Sequence, residues 1–414
     1  MRKKNGFISM TLVYTFLILF MFLMLAILRT YTEKDKFLQA INDQIDNDIG
    51  VAKGSRVTLI NRLLEDNMPS SDGNINYARI SNDYYGNGNG FYYMEKKSLP
   101  GYKLESITDE NADGHTSRIY FFRGNVENNH IVFANMCFRI IRTNEDGSVR
   151  IVYNGPNVGS TTSPKCKTLN NTSFASLSIG NAKFNTTDSV EYVKIVNGSV
   201  PEADESNVQS PITNILNEWY RDNFTTFGSN TVNYSEYIAK GTIFCNNKTK
   251  YQSTHYYKSK ELAPLFSKTS IIYDDANVSN LISFRCENTN DRFTISEKNI
   301  FYPIGILTAQ DVVLAGGYLY LGDEDNYHGG PNGVIENSNF YLFSENSYWT
   351  MSPLSDDGKV IYFRNDGSYH GILEGAPASS SYAVRPVISL NQNVVVSSGN
   401  GTANTPYIVR TDAS

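Results

Sequence analysis

The chain has 414 residues, of which 40% are hydrophobic and 19% charged. That balance excludes a chain too polar to bury a core, and the length accommodates two or three domains of ordinary size. Net charge is −6, with no run of Lys and Arg beyond Arg2-Lys3-Lys4, so no nucleic-acid partner is expected: phosphates call for clustered basic side chains.

Residues 7–28 (FISMTLVYTFLILFMFLMLAIL) carry no charge over 22 positions. A helix that crosses a bilayer needs about 20 such residues, whereas the core of a cleavable signal has only about 7–15. A single-pass transmembrane helix is therefore expected at residues 7–28. Lys and Arg are equally frequent on its two sides. A short leader stays inside more easily than a large domain does, so the expected orientation is N-terminus cytoplasmic and the bulk extracellular. Phe37, Leu38, Ile41, Ile45 and Ile49 recur at spacings of three or four and extend the helix as a stalk. Gly50 and Gly54 interrupt it, and Val57, Ile60, Leu63 and Leu64 form a second amphipathic piece before Pro69. Residues 1–66 thus read as a transmembrane and stalk helix, and residues 67–90, rich in Gly and Asn, as a linker. Residues 91–414 read as an extracellular β-rich domain with a few short helices, giving an α+β chain overall.

Within that domain, short β-branched and aromatic runs at 118–122, 130–133, 137–142 and 149–153 predict strands. Asn144-Glu145-Asp146-Gly147 predicts a hairpin turn between the last two. Residues 211–224 predict a helix: Ser210 is a candidate cap, Pro211 suits the first turn, and Ile212, Ile215, Leu216, Trp219, Tyr220 and Phe224 share a face expected in the core. A short helix is expected after Thr308, capped with help from Asp311 and ended by Gly316-Gly317. Strands follow at 348–352, 360–363, 383–390 and 407–409. Between them, residues 318–347 form a long insertion rich in Tyr and acid, and loops of such length are commonly functional.

Two resemblances add to this reading. Arg2-Lys3-Lys4-Asn5-Gly6-Phe7 before a long apolar helix resembles the type IV prepilin signal. The resemblance implies cleavage after Gly6 and a mature chain beginning at Phe7. The family usually has Glu at the fifth mature position. Here Thr11 stands there, which argues against a major pilin and leaves a minor pilin, a pseudopilin or an unprocessed anchor. Further on stand Tyr302-Pro303-Ile304-Gly305-Ile306-Leu307-Thr308, Tyr348-Trp349-Thr350-Met351-Ser352-Pro353 and Val384-Arg385-Pro386-Val387-Ile388. With Gly399-Asn400-Gly401-Thr402 they resemble a module of Gram-positive surface proteins. They are also similar to domains related to formylglycine-generating enzyme. That resemblance implies a C-type-lectin-like fold over about residues 130–410. Formylglycine-generating enzymes use cysteines in their C-terminal part. This chain has none after Cys286, so that activity is not carried over.

The sequence carries no catalytic motif and no metal or cofactor signature. The cysteines, Cys137, Cys166, Cys245 and Cys286, contain no C-x-x-C pair, and no two histidines lie three to five residues apart. No G-x-S-x-G elbow occurs. In an exported chain the cysteines can pair. Cys137 with Cys166 and Cys245 with Cys286 are the expected bonds among three connectivities, with buried free thiols as the alternative. The expected ligand face comprises Tyr318, Tyr320, Asp323, Asp325, Tyr327 and His328 of the insertion, with Trp349. It suits a glycan or a host surface protein. The functional expectation is a membrane-anchored, pilin-like or adhesin-type surface protein without catalysis, in contact with pilus or pseudopilus subunits. The alternatives are a cell-envelope enzyme on a formylglycine-generating-enzyme-like fold and a purely structural pilus subunit.

Overall fold

The computed structural model describes residues 57–72, 75, 88–95, 118–144, 146–167, 177–188, 210–226, 232–246, 292–295, 300–319, 340–354, 358–366 and 370–411. The chain divides into two units, Met1–Arg56 and Val57–Ser414, and every described residue belongs to the second. The apolar run at residues 7–28 and the processing residues Gly6, Phe7 and Thr11 lie outside the described residues.

The second unit is built from short strands. Its first part comprises Val57–Thr58 (β1), the helix Leu59–Asp66 (α1), Ser70–Ser71 (β2), Gly90–Glu95 (β3) and Arg118–Arg123 (β4). His130–Phe133 (β5), Met136–Thr143 (β6), Val149–Pro156 (β7), Asn181–Lys183 (β8) and the helix Pro211–Phe224 (α2) follow. Next come Phe244–Cys245 (β9), Arg292–Phe293 (β10), Gly305–Ile306 (β11), the helix Ala309–Leu314 (α3) and Tyr318–Leu319 (β12). The last part is Tyr348–Pro353 (β13), Lys359–Asn365 (β14), His370–Pro377 (β15), Ser381–Ala383 (β16), Pro386–Leu390 (β17), Val395–Ser398 (β18) and Tyr407–Val409 (β19).

The expected α+β chain led by a transmembrane and stalk helix is corrected. The described α-helices have 8, 14 and 6 residues, and among the described residues no helix is long and apolar enough to cross a membrane. The amphipathic piece assigned to the stalk is α1, and α1 belongs to the β-rich domain. Its Leu59 and Leu63 are buried in the main core, and Leu59 N–H donates to Val394 O at 2.8 Å. Tyr407 Oη on β19 donates to the Asp66 carboxylate at 3.0 Å. So short a helix is marginal by itself in water, and its apolar stripe is stable only when docked. Part of the expected linker is also within the domain, because β2 pairs in parallel with β3.

Two large sheets carry the fold. The first runs β1-β18-β19-β5-β6-β4-β3-β2, with β7, β17 and β11 branching from β6 in that order. The second runs β12-β15-β14-β13-β16-β8. A short segment ties them together. β11 pairs with β17 of the first sheet, while the next residue, Leu307, accepts at its carbonyl from Met351 N–H of β13 at 2.8 Å. α3 follows at once, with all six of its residues buried. β6 and β13 are each buried along their whole length, the pattern of strands covered on both faces.

Local chemistry explains most joints. β5 and β6 are joined by Ala134 and Asn135, both at positive φ (49° and 56°), the conformation of a primed two-residue hairpin turn. The predicted turn between β6 and β7 closes through Asn144 N–H to Ser148 O at 2.7 Å, with Gly147 at φ 77°. The single strand predicted at 383–390 is divided. β16 lies in the second sheet and β17 in the first, and the chain crosses between them at Val384-Arg385. Ser210 precedes α2 as expected but does not cap it, since its hydroxyl donates instead to Phe184 O at 2.6 Å.

Candidate functional site

The expected ligand face is largely outside the described residues. Tyr320, Asp323, Asp325, Tyr327 and His328 lie there, and Tyr318 is placed by its backbone alone, paired in parallel with Ile372 on the edge strand β12. Trp349 is a correction. It is fully buried on β13, within 4.9 Å of Tyr382 and 5.7 Å of Phe184 by ring centroid, and its indole N–H donates to Ala182 O at 2.9 Å. A central strand covered on both faces presents no side chain to a ligand. The insertion is also shorter than expected at its far end, because Phe340, Tyr341 and Leu342 are fully buried.

The structure instead gathers ionisable side chains inside the core. Asp311 is the third residue of α3 and closes a capping box with Thr308: its carboxylate accepts from Thr308 N–H at 3.1 Å and from the hydroxyl at 2.9 Å. The same carboxylate accepts from Arg142 Nε at 3.0 Å and Arg150 NH1 at 3.3 Å. Arg142 on β6 and Arg150 on β7 are direct cross-strand partners, so two like charges stand side by side. Asp311 places one negative charge between them, which offsets half of their combined charge. Burial alone pushes its carboxyl pKa up, but Arg142 and Arg150 outweigh that and hold it below the usual carboxylate range.

A second cluster lies around Arg139 and Arg385. Arg139 on β6 donates through NH2 to Val126 O and through NH1 to His130 Nε2 at 2.9 Å, its cross-strand partner on β5. A guanidinium only donates, so His130 accepts at Nε2 and carries its proton on Nδ1. Burial, and then the charge of Arg139, hold the His130 pKa well below the usual imidazole range. Arg385, at the crossing between sheets, donates to Leu342 O at 2.9 Å and lies 5.0 Å from the centroid of the Tyr348 ring. Arg139 lies 5.3 Å from the centroid of the Tyr341 ring. Among the described residues neither Arg139 nor Arg385 has a carboxylate within ion-pairing distance. Burial lowers the Arg139 pKa to about 9, which still leaves it cationic at neutral pH. Burial lowers that of Arg385 as well, and raises that of the Tyr341 phenol.

Chemically the two clusters hold buried charge. No nucleophile and base pair is aligned in either, and every member is buried. Among the described residues no group of His, Cys, Asp or Glu is arranged to hold a metal. These arginines were missed by sequence motifs, yet a signal exists. Arg123, Arg139, Arg142, Arg150 and Arg385 each sit inside or beside apolar strand runs. A charge embedded in a run that packs on both faces must be buried.

The cysteines are the remaining candidates. Cys137 on β6 and Cys166 form a disulfide with a Cα separation of 5.7 Å. With Val132 and Ala403 they make a small satellite core. Cys245 is disulfide-bonded as well, and Cys286 lies outside the described residues.

Fold and site together define a two-sheet β-rich domain with buried arginine clusters and a disulfide staple. No family model matches the chain, and no curated protein and no solved structure matches it either.

Proposed function

We propose that the chain is a non-catalytic binding protein displayed on the outer face of a cell membrane, as an adhesin or a minor pilin-like subunit. The observation that carries this reading is the Cys137–Cys166 disulfide, because such bonds persist in oxidising, extracytoplasmic compartments and are rare in reducing ones. The uncharged run at residues 7–28 supports attachment to the membrane, and Gly6-Phe7 supports a pilin-like export route. The binding face belongs to the segment between β12 and the buried Phe340. Tyr320, Asp323, Asp325, Tyr327 and His328 there suit a glycan stacked on an aromatic ring or a cationic patch on a host protein.

Deleting residues 321–338 tests this. That range spares Phe340, Tyr341 and Leu342, which the core needs. The expected outcome is an unchanged thermal midpoint with loss of binding to host cells and glycan arrays. Intact binding after the deletion would move the site elsewhere, and an unfolded variant would make the segment structural. Labelling intact cells with a membrane-impermeant reagent should modify the domain. Protection from the reagent would contradict surface display.

A further inference from the structure

The second cluster contains a surplus of donors. His130 Nδ1, Arg139 Nε, Tyr341 Oη, and Nε and NH2 of Arg385 are all buried without a hydrogen-bond partner. Each is an N–H or O–H donor. Among the described residues Asn129 Oδ1, next to His130 in the chain, is an unpartnered buried acceptor, and the Tyr348 hydroxyl is a further partner of the Arg385 side chain. Among the described residues the two buried guanidinium charges have no carboxylate at ion-pairing distance. The nearest acid acting on Arg139 is Glu127, which is solvent-exposed and only attracts it from a distance.

Such a group is costly as it stands. Buried polar atoms are nearly always paired, and an uncompensated buried charge is among the most destabilising features a core can hold. Arginine does not escape by losing its proton at neutral pH. The neighbouring cluster shows the usual remedy, a carboxylate set between Arg142 and Arg150. Around Arg139 and Arg385 the backbone carbonyls of Val126 and Leu342 and the faces of Tyr341 and Tyr348 supply partial negative charge but no full one. We propose that Arg139, Arg385 and the Tyr341 hydroxyl form a buried binding site for a small monovalent anion of the halide class, chloride in the native protein. The surrounding side chains are fully buried, which favours a monatomic ion over a carboxylate or a phosphate. The ion would couple β6, the crossing between the two sheets and the 340–342 segment. It would therefore act on stability, and it is independent of the binding face proposed for residues 320–339.

Bromide is the probe. Crystals of the full chain in detergent, soaked in bromide, should show an anomalous bromine peak within about 3.5 Å of Arg139 Nε, Arg385 Nε and Tyr341 Oη. Absence of a peak there overturns the site, including a result in which bromide is found at the surface alone. In solution, replacing gluconate by bromide at constant ionic strength should raise the thermal midpoint by about 2 °C per tenfold above the dissociation constant. Tyr341→Phe keeps the ring and removes one donor, and should weaken the bromide response by about tenfold. Equal responses in the two proteins would contradict the site. The diffraction result does not depend on that variant folding.

Discussion

Two arginine pairs are buried in the same domain and meet different partners. Arg142 and Arg150 share one carboxylate that is itself fixed at a helix N-terminus. Arg139 and Arg385 have carbonyls, an imidazole nitrogen and aromatic faces. In the first arrangement two cations share one buried anion, so removing Asp311 takes the counter-charge from both at once. The second is open, with donors in excess. A buried arginine therefore does not by itself say how strongly a fold depends on it; the partner does.

The largest expected effect comes from the Asp311 cluster. Asp311→Asn should destabilise the domain by about 3–5 kcal/mol in urea unfolding, since it takes from Arg142 and Arg150 the buried carboxylate they share. A loss under about 1 kcal/mol would mean that the carboxylate is dispensable and the distinction is empty.

Cutting the staple should act on both clusters alike. Cys137 lies on β6, the strand that carries Arg139 and Arg142. Cys137→Ser with Cys166→Ser should cost about 3–4 kcal/mol from the released loop of 29 residues. A null effect would show that the chain remains ordered between these positions after unfolding.

Removing a member of the open cluster should be milder. Arg385→Met should cost about 1–2 kcal/mol, because no carboxylate is left behind and Leu342 O keeps the Tyr348 hydroxyl as a donor. Equal losses for Arg385→Met and Asp311→Asn would erase the difference between the two regions.

Acid should separate the clusters along the pH axis. His130 has a depressed pKa in the fold and an ordinary one near 6.5 when unfolded, so the unfolded chain takes up its proton first. Stability should fall as pH drops below about 6.5, with a slope of at most about 1.4 kcal/mol per pH unit from this residue. His130→Gln keeps an acceptor for Arg139 and should flatten that limb. Asp311 is also depressed, so its contribution is complete above about pH 4 and is lost only below it. An unaltered slope in His130→Gln would remove His130 from the account.

Local elements were largely legible in the sequence. The helix at 211–224 and the capping box of Thr308 and Asp311 follow from spacing and end signals, and the structure has both. The turn at 144–147 follows from residues that tolerate positive φ. What was not legible is long-range. Nothing local says that the run at 383–390 leaves one sheet for the other at Arg385. Nor do about two amphipathic turns of helix say whether they continue a stalk or dock on a sheet, as α1 does. Trp349 was misread because an aromatic beside an insertion looks like a recognition residue, while its strand is central and covered on both faces. Apolar strand neighbours surround the buried arginines as they surround Trp349. Their apolar runs signal burial, and the pairing of β6, β7 and β17 as inner strands is what makes that signal readable.

The central claim is an outward-facing, disulfide-stapled domain. Its most direct test is the thiol state of the protein in its own cells. Intact cells would be quenched in acid, free thiols alkylated, and the digest read by mass spectrometry. The account predicts a linked peptide pair containing Cys137 and Cys166, with neither residue alkylated. Recovery of both as alkylated thiols would contradict it and place the domain in a reducing compartment.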